Sequence, residues 1–189
     1  MLKPLAIGVV GVGLGLWSAD ALLAHGGPFG VASVGPWRIA SQAGAADADP
    51  YERAVLSRSG EIPIAIGEGL QLVARLDDAG RKLDGHCVYR VFPHAPAARY
   101  WTLGVVNGAG FPIDNPAHRT VFRSSEILRA GDGSFAIVVS PVAAPGNWLP
   151  VDGVGTFSLV LRLYDTPLSV AGDEIENSAA PTIERERCL

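Results

Sequence analysis

From Phe157 to Tyr164 the chain reads Phe-Ser-Leu-Val-Leu-Arg-Leu-Tyr, with a large apolar residue at every second position. That period belongs to a β-strand with one face in a core, because successive strand side chains point to opposite faces. Phe157, Leu159, Leu161 and Leu163 are expected to face inward and Ser158, Arg162 and Tyr164 outward, as in a central strand. Leu70, Leu72, Ala74 and Leu76 repeat the period, and valine, leucine and aromatic residues recur over 86–92, 100–107 and 135–140. Asp78-Ala79-Gly80, Asn107-Gly108 and Asp132-Gly133 separate these segments and supply the backbone conformations that hairpin turns need. With 48% hydrophobic residues for a core, and 23 glycines and 14 prolines to punctuate short strands, the expected class is all-β. A jelly-roll-like β-sandwich over residues 61–189 is the expected form.

The N-terminus follows a different rule. From Pro4 to Ala24 only Ser18 and Asp20 interrupt the apolar run, and 21 residues at helical rise cover roughly 30 Å, a bilayer's hydrocarbon thickness. Residues 1–24 therefore read as a transmembrane anchor or signal segment, with the membrane as a partner through Pro4 to Ala24. Lys3 precedes the run, so the positive-inside bias places the N-terminus in the cytoplasm and the domain outside, in the periplasm of a bacterial inner-membrane protein. Ala19-Asp20-Ala21 also fits a signal cleavage site, which would release a soluble periplasmic domain. Residues 25–60 read as a glycine- and proline-rich spacer and one short helix. Asp49-Pro50-Tyr51-Glu52 supplies its start: an aspartate N-cap, proline in the first turn and a glutamate three residues on. The helix is expected to run to about Ser57, with Gly60 placed to end it.

Cys87 and Cys188 are the only cysteines. In an exported protein, an even count without CxxC spacing reads as one structural disulfide, with two free thiols as the other reading. The bridge would tie down a polar tail, Gly172 to Glu186, whose sequence offers little other means of docking.

Several segments in order resemble a known family. They are Cys87-Val88-Tyr89-Arg90-Val91, Arg99-Tyr100-Trp101-Thr102-Leu103, Gly110-Phe111-Pro112-Ile113-Asp114-Asn115-Pro116, Asp132-Gly133-Ser134, Asn147-Trp148-Leu149-Pro150 and Leu161-Arg162-Leu163-Tyr164. Together they resemble the domain of unknown function 1214, and Gly35-Pro36-Trp37 with Asp47 to Ala54 resembles its short, membrane-anchored members. The resemblance implies a jelly-roll sandwich in a bacterial envelope. It implies no reaction.

The residues narrow the chemistry. A net charge of -4 disfavours nucleic acid as a partner, since phosphate binding needs a clustered positive field. No Gly-x-Ser-x-Gly elbow, phosphate loop or dinucleotide fingerprint occurs. His25, His86, His94 and His118 lack zinc-site spacing, so neither metal nor cofactor is expected. Asp114, Glu126, Asp152 and Asp165 are candidates for glycosidase chemistry only because loops present them, and turn formation is their commoner role. Arg90, Arg99, Trp101, Asn147, Trp148, Arg162 and Tyr164 form the more suggestive group. Rings of this kind stack on sugar faces while arginine and asparagine meet hydroxyls, although the same residues can simply pack a sandwich edge. Asn147 to Pro150 is expected to be an exposed loop. The resulting expectation is a membrane-anchored, non-catalytic binding or structural module for an envelope glycan or envelope protein, and the alternative is a hydrolase or lyase acting on an envelope glycan.

Overall fold

The computed structural model describes residues 2–24, 31–40, 48–59, 63–65, 67–151, 155–167 and 180–189. It is mostly β, with two sheets sharing one core. In chain order the strands are β1 (Val31–Val34), β2 (Trp37–Ala40), β3 (Gly69–Ala74), β4 (Cys87–Phe92) and β5 (Tyr100–Asn107). Then come β6 (Val121–Arg123), β7 (Ile137–Ser140), β8 (Asn147–Pro150), β9 (Phe157–Tyr164) and β10 (Thr182–Cys188). The larger sheet has the order β1-β2-β3-β9-β5-β6 and the smaller one β10-β4-β7-β8.

β9 lies between β3 and β5, and Phe157, Leu159, Leu161 and Leu163 are buried as the alternation requires. Leu70, Leu72 and Ala74 of β3 continue that layer, whereas Leu76, beyond the strand end, is exposed. Tyr89, Val91, Ile137, Val139, Leu149 and Ile183 face them from the smaller sheet. Ring pairs cross between the sheets: Tyr89 meets Phe157 edge-on at 5.6 Å, and Trp101 lies 5.1 Å from Phe135. At Gly69 a Cβ would stand 2.0 Å from the Leu163 carbonyl oxygen, so only glycine lets β3 approach β9 this closely.

Three sequence expectations need correction. Residues 31–40, assigned to a spacer, form the β1–β2 hairpin, which adds two strands to the larger sheet. Gly35 turns it with a φ of 55°, and Trp37 and Ile39 are buried in the core. The indole Nε1 of Trp37 donates to the Pro181 carbonyl at 2.7 Å, joining the hairpin to the tail. The tail itself docks as β10 along β4 with Ile183 fully buried, so the bridge is not its sole attachment. Asn147 to Pro150 is strand rather than loop, and β8 runs parallel to β7, a departure from the antiparallel path of a jelly roll.

Two helices precede the sandwich's main strands. α2 (Pro50–Ser59) starts as the sequence requires, with the Tyr51 amide donating to Asp49 Oδ1 at 2.8 Å. Gly60 lies outside the described residues. α1 (Leu2–Ala24) is helical through the apolar run, with its described side chains from Ile7 to Trp17 exposed. Among the described residues, however, no helix is long and apolar enough to cross a membrane.

Candidate functional site

The outward face of the larger sheet carries a groove of about 820 Å³. Strand register explains its floor. Arg38 of β2 stands opposite Val73 of β3, and Val73 opposite Val160 of β9. One step along, Gln71 pairs with Arg162 and Arg162 with Thr102. Val106 of β5 pairs with Ser158 at the other end. The β1–β2 turn, Arg75 to Leu76, and Lys82 form one wall. The opposite wall is the Asn107–Phe111 turn, where Asn107 Oδ1 accepts the amides of Ala109 at 2.9 Å and Phe111 at 3.1 Å. These bonds fix the turn so that the Phe111 ring stands 66% exposed at the lip.

Four cationic residues line the groove: Arg38, Arg75, Lys82 and Arg162. Among the described residues, no aspartate or glutamate lines it. Arg162 Nε donates to Gln71 Oε1 at 2.8 Å, a neutral partner that orients the guanidinium without cancelling its charge. The carboxylates that do form described ion pairs meet other cations: Asp20 with Arg58, Asp77 with Arg81 and Arg185, Asp165 with Arg99, and Glu126 with Arg123. A chain of net charge -4 thus concentrates positive charge on one concave surface.

The residues singled out in the sequence divide between several places. Arg162 and Tyr164 share the outer face of the larger sheet, and the Tyr164 ring lies 5.9 Å from that of Tyr100. Arg90 and Trp148 flank Val138 in one row across the smaller sheet, on the opposite side of the sandwich. Trp101 is a core residue, 4% exposed. Arg99, in the connection before β5, pairs with Asp165 at 3.1 Å in solvent. Asn147 is 6% exposed, and its amide serves the fold: it accepts from the Leu128 amide and donates to the Leu128 and Ala136 carbonyls. The Trp148 indole donates to Ser140 O at 3.0 Å and closes over the six-residue return between the parallel strands. Arg38, Arg75, Lys82 and Phe111 escaped the sequence reading. For Arg38 and Arg75 the signal was the outward half of the same alternation, which becomes a groove only once the neighbouring strands are known, whereas Lys82 and Phe111 come from turns.

Of the acids read as glycosidase candidates, Asp114 and Glu126 accept local backbone amides, and Asp165 pairs with Arg99. Asp114 Oδ1 accepts the Asn115 amide, Glu126 Oε1 the Arg123 amide, and Asp152 lies outside the described residues. The shifted carboxyls are turn groups. The His86 amide and then the His86 ring hold Asp84 below the usual range, and the Ser134 hydroxyl and then its amide do the same for Asp132. Burial chiefly raises Asp78, whose Oδ2 accepts the Ile183 amide of β10. Among the described residues no group of three or more His, Cys, Asp or Glu side chains could hold a metal ion.

A family model described as protein of unknown function (DUF1214) matches residues 68–168. These hold the floor and most walls of the groove but not the β1–β2 hairpin that brings Arg38. No curated protein matches the chain. Among solved structures, a Vibrio parahaemolyticus protein is similar over 99% of this chain, at 18% identity and a TM-score of 0.63. This chain covers 46% of that protein's length. An uncharacterised protein from Burkholderia cenocepacia is similar over 65% of this chain and 30% of its own, at 23% identity and a TM-score of 0.44. At such identities the first likeness speaks for the fold.

Proposed function

The chain belongs to the DUF1214 family of proteins of unknown function, and on that premise we propose that it is a non-catalytic envelope module that binds an anionic envelope component in the groove of its larger sheet. One observation carries the reading: among the described residues, four cations and no carboxylate line a groove with valines on its floor. A groove of that volume lies within the usual range for ligand sites, and a positive concave surface focuses its field on an anion. Carboxylate-based hydrolysis needs two facing acids, and the groove's described lining residues include neither.

The test compares two variants of equal net charge. Changing Arg38, Arg75, Lys82 and Arg162 together to glutamine takes the net charge from -4 to -8, as does changing the exposed Arg53, Arg90, Arg123 and Arg187. The natural chain and the second variant should be retained on immobilised heparin at low salt, and the groove variant should pass through. Equal retention of both variants would remove the groove from the function.

Two observations support the envelope address. Cys87 and Cys188 form a disulfide, which suits an oxidising compartment. α1 also presents Ile7, Val9, Val10, Leu14 and Leu16 to its surroundings, an apolar surface suited to lipid or to the export machinery. With Lys3 kept on the cytoplasmic side, the β domain would reside in the periplasm. Cell membranes should therefore hold the chain through a carbonate wash, with α1 retained. A soluble periplasmic form beginning near Leu22 or His25 would make α1 a cleaved signal, and recovery in the cytoplasm would overturn the address.

A further inference from the structure

We propose that the groove's ligand is an acidic oligosaccharide bearing carboxylates, of the uronate kind, laid lengthwise along β9; this rests on the anion-binding reading above. Among the described residues the charge of the lining is one-sided. Arginine and lysine offer only donors, Asn107 Oδ1 is engaged by its own turn, and Thr156 and the buried Ser158 add two hydroxyls that can accept as well as donate. Neutral sugars need acceptors for their hydroxyl protons, whereas carboxylates present acceptors that arginine's fork matches.

The spacing of the charges speaks for a polymer. Gln71, the cross-strand neighbour of Arg162, and Arg75 lie four residues apart, so their Cα atoms are separated by about 13 Å at strand rise. Arg38 stands to the side of the valines between them. Charges rooted that far apart along the sheet suit a chain that carries separate carboxylates. Val73 and Val106, both half-buried, lie along the floor beside the buried Val160 and offer a shallow apolar surface for the C–H faces of sugar rings.

Aromatic rings stand at both ends of this strip. Phe111 is exposed at one lip, and the Tyr100–Tyr164 pair continues the same outward face beyond Arg162. From Ser158 to Tyr164 the strip is about 20 Å long at strand rise. It ends at the Arg99–Asp165 ion pair. An acyl chain would fit poorly, since the valine floor is shallow and cations border it.

The experiment is calorimetric titration of the full chain in neutral detergent. The probes are hexamers of galacturonate and of mannuronate, the galacturonate dimer, the methyl-esterified hexamer, inorganic phosphate, and mixed micelles containing phosphatidylglycerol. At least one acidic hexamer should bind about tenfold or more tighter than the dimer and the ester, one lost ionic contact being of order 1.4 kcal/mol, or tenfold. Arg38→Ala and Arg162→Ala should each weaken it about tenfold with little change in melting temperature. Tyr164→Ala should weaken the hexamer several-fold and leave the dimer unchanged. Equal binding of the ester, or displacement of the hexamer by equimolar phosphate, would overturn the proposal. Micelle binding lost in Arg38→Ala, without binding of either hexamer, would overturn the saccharide and leave the anion groove standing. Silence toward every probe would overturn both.

Discussion

Asp77→Ala is expected to lower the stability of the folded chain by about 3–5 kcal/mol, the usual consequence of removing one partner from a buried charge pair. The Asp77 side chain is 1% exposed and serves four groups at once. Its Oδ1 accepts the amides of Ala79 at 3.1 Å and Arg81 at 2.9 Å, which shapes the turn between β3 and β4. Its Oδ2 lies 3.0 Å from Arg81 Nε and 3.1 Å from Arg185 Nε. Arg185 reaches in from β10, mostly covered, with its guanidinium 5.2 Å from the Tyr89 ring centroid. The contact with Asp77 is electrostatic, since the Arg185 N–H is not directed along it as a hydrogen bond. Alanine would leave that guanidinium desolvated without a counter-charge. Arg81, by contrast, is 54% exposed, so Arg81→Ala should cost at most about 1 kcal/mol. Urea unfolding of both variants checks the difference, and adding Arg185→Leu to Asp77→Ala should recover part of the loss. Equal losses in the two single variants would show that the node matters only as a turn.

The same residues show how much of this molecule the sequence makes legible. Alternation in 157–164 and 70–74 reports burial directly, because it follows from strand geometry and needs no knowledge of partners. β5 and β9 accordingly begin and end where the pattern does. β1 and β2 are each only four residues long and sit among glycines, so their period is too brief to stand out, though Trp37 and Ile39 mark it. β10 was hidden for another reason. Thr-Ile-Glu-Arg-Glu-Arg has one core residue, Ile183, and owes its place to pairing with β4 and to Asp77, both distant in sequence. The candidate site fared like β10. Arg162 and Tyr164 were legible as outward residues of a central strand, but their neighbours Arg38 and Arg75 come from strands whose adjacency only the sheet order reveals. Asn147 and Trp148 looked like loop residues because polar and aromatic groups beside proline suggest exposure. They are satisfied instead by backbone groups of 128, 136 and 140.

Removing the Cys87–Cys188 bridge is expected to lower global stability substantially while leaving β10 in place. The two cysteines face each other in the β10–β4 register, and the bridge closes a loop with a sequence separation of 101. In the chain-entropy model a loop of about 100 residues is worth up to ~4.7 kcal/mol, and native bridges commonly return about 2–4 kcal/mol. That stabilisation comes from restricting the unfolded chain, so it is lost whether or not the tail has other contacts. The tail does have them. Ile183 is fully buried, its amide is held by Asp78 Oδ2, and the Asp78 amide donates to the Ile183 carbonyl at 3.1 Å. Arg185 adds its charge to Asp77, and Trp37 holds the Pro181 carbonyl just before the strand. In the Cys87→Ala, Cys188→Ala variant the urea midpoint should therefore fall. A loss of 2–4 kcal/mol corresponds to about 4–16 °C in melting temperature for a chain of this size. The Ile183 amide should nevertheless stay protected from hydrogen exchange up to the reduced global limit. Fast exchange at Ile183 with an unchanged urea midpoint would show the reverse, a tail held only by its bridge on a sandwich that folds without it.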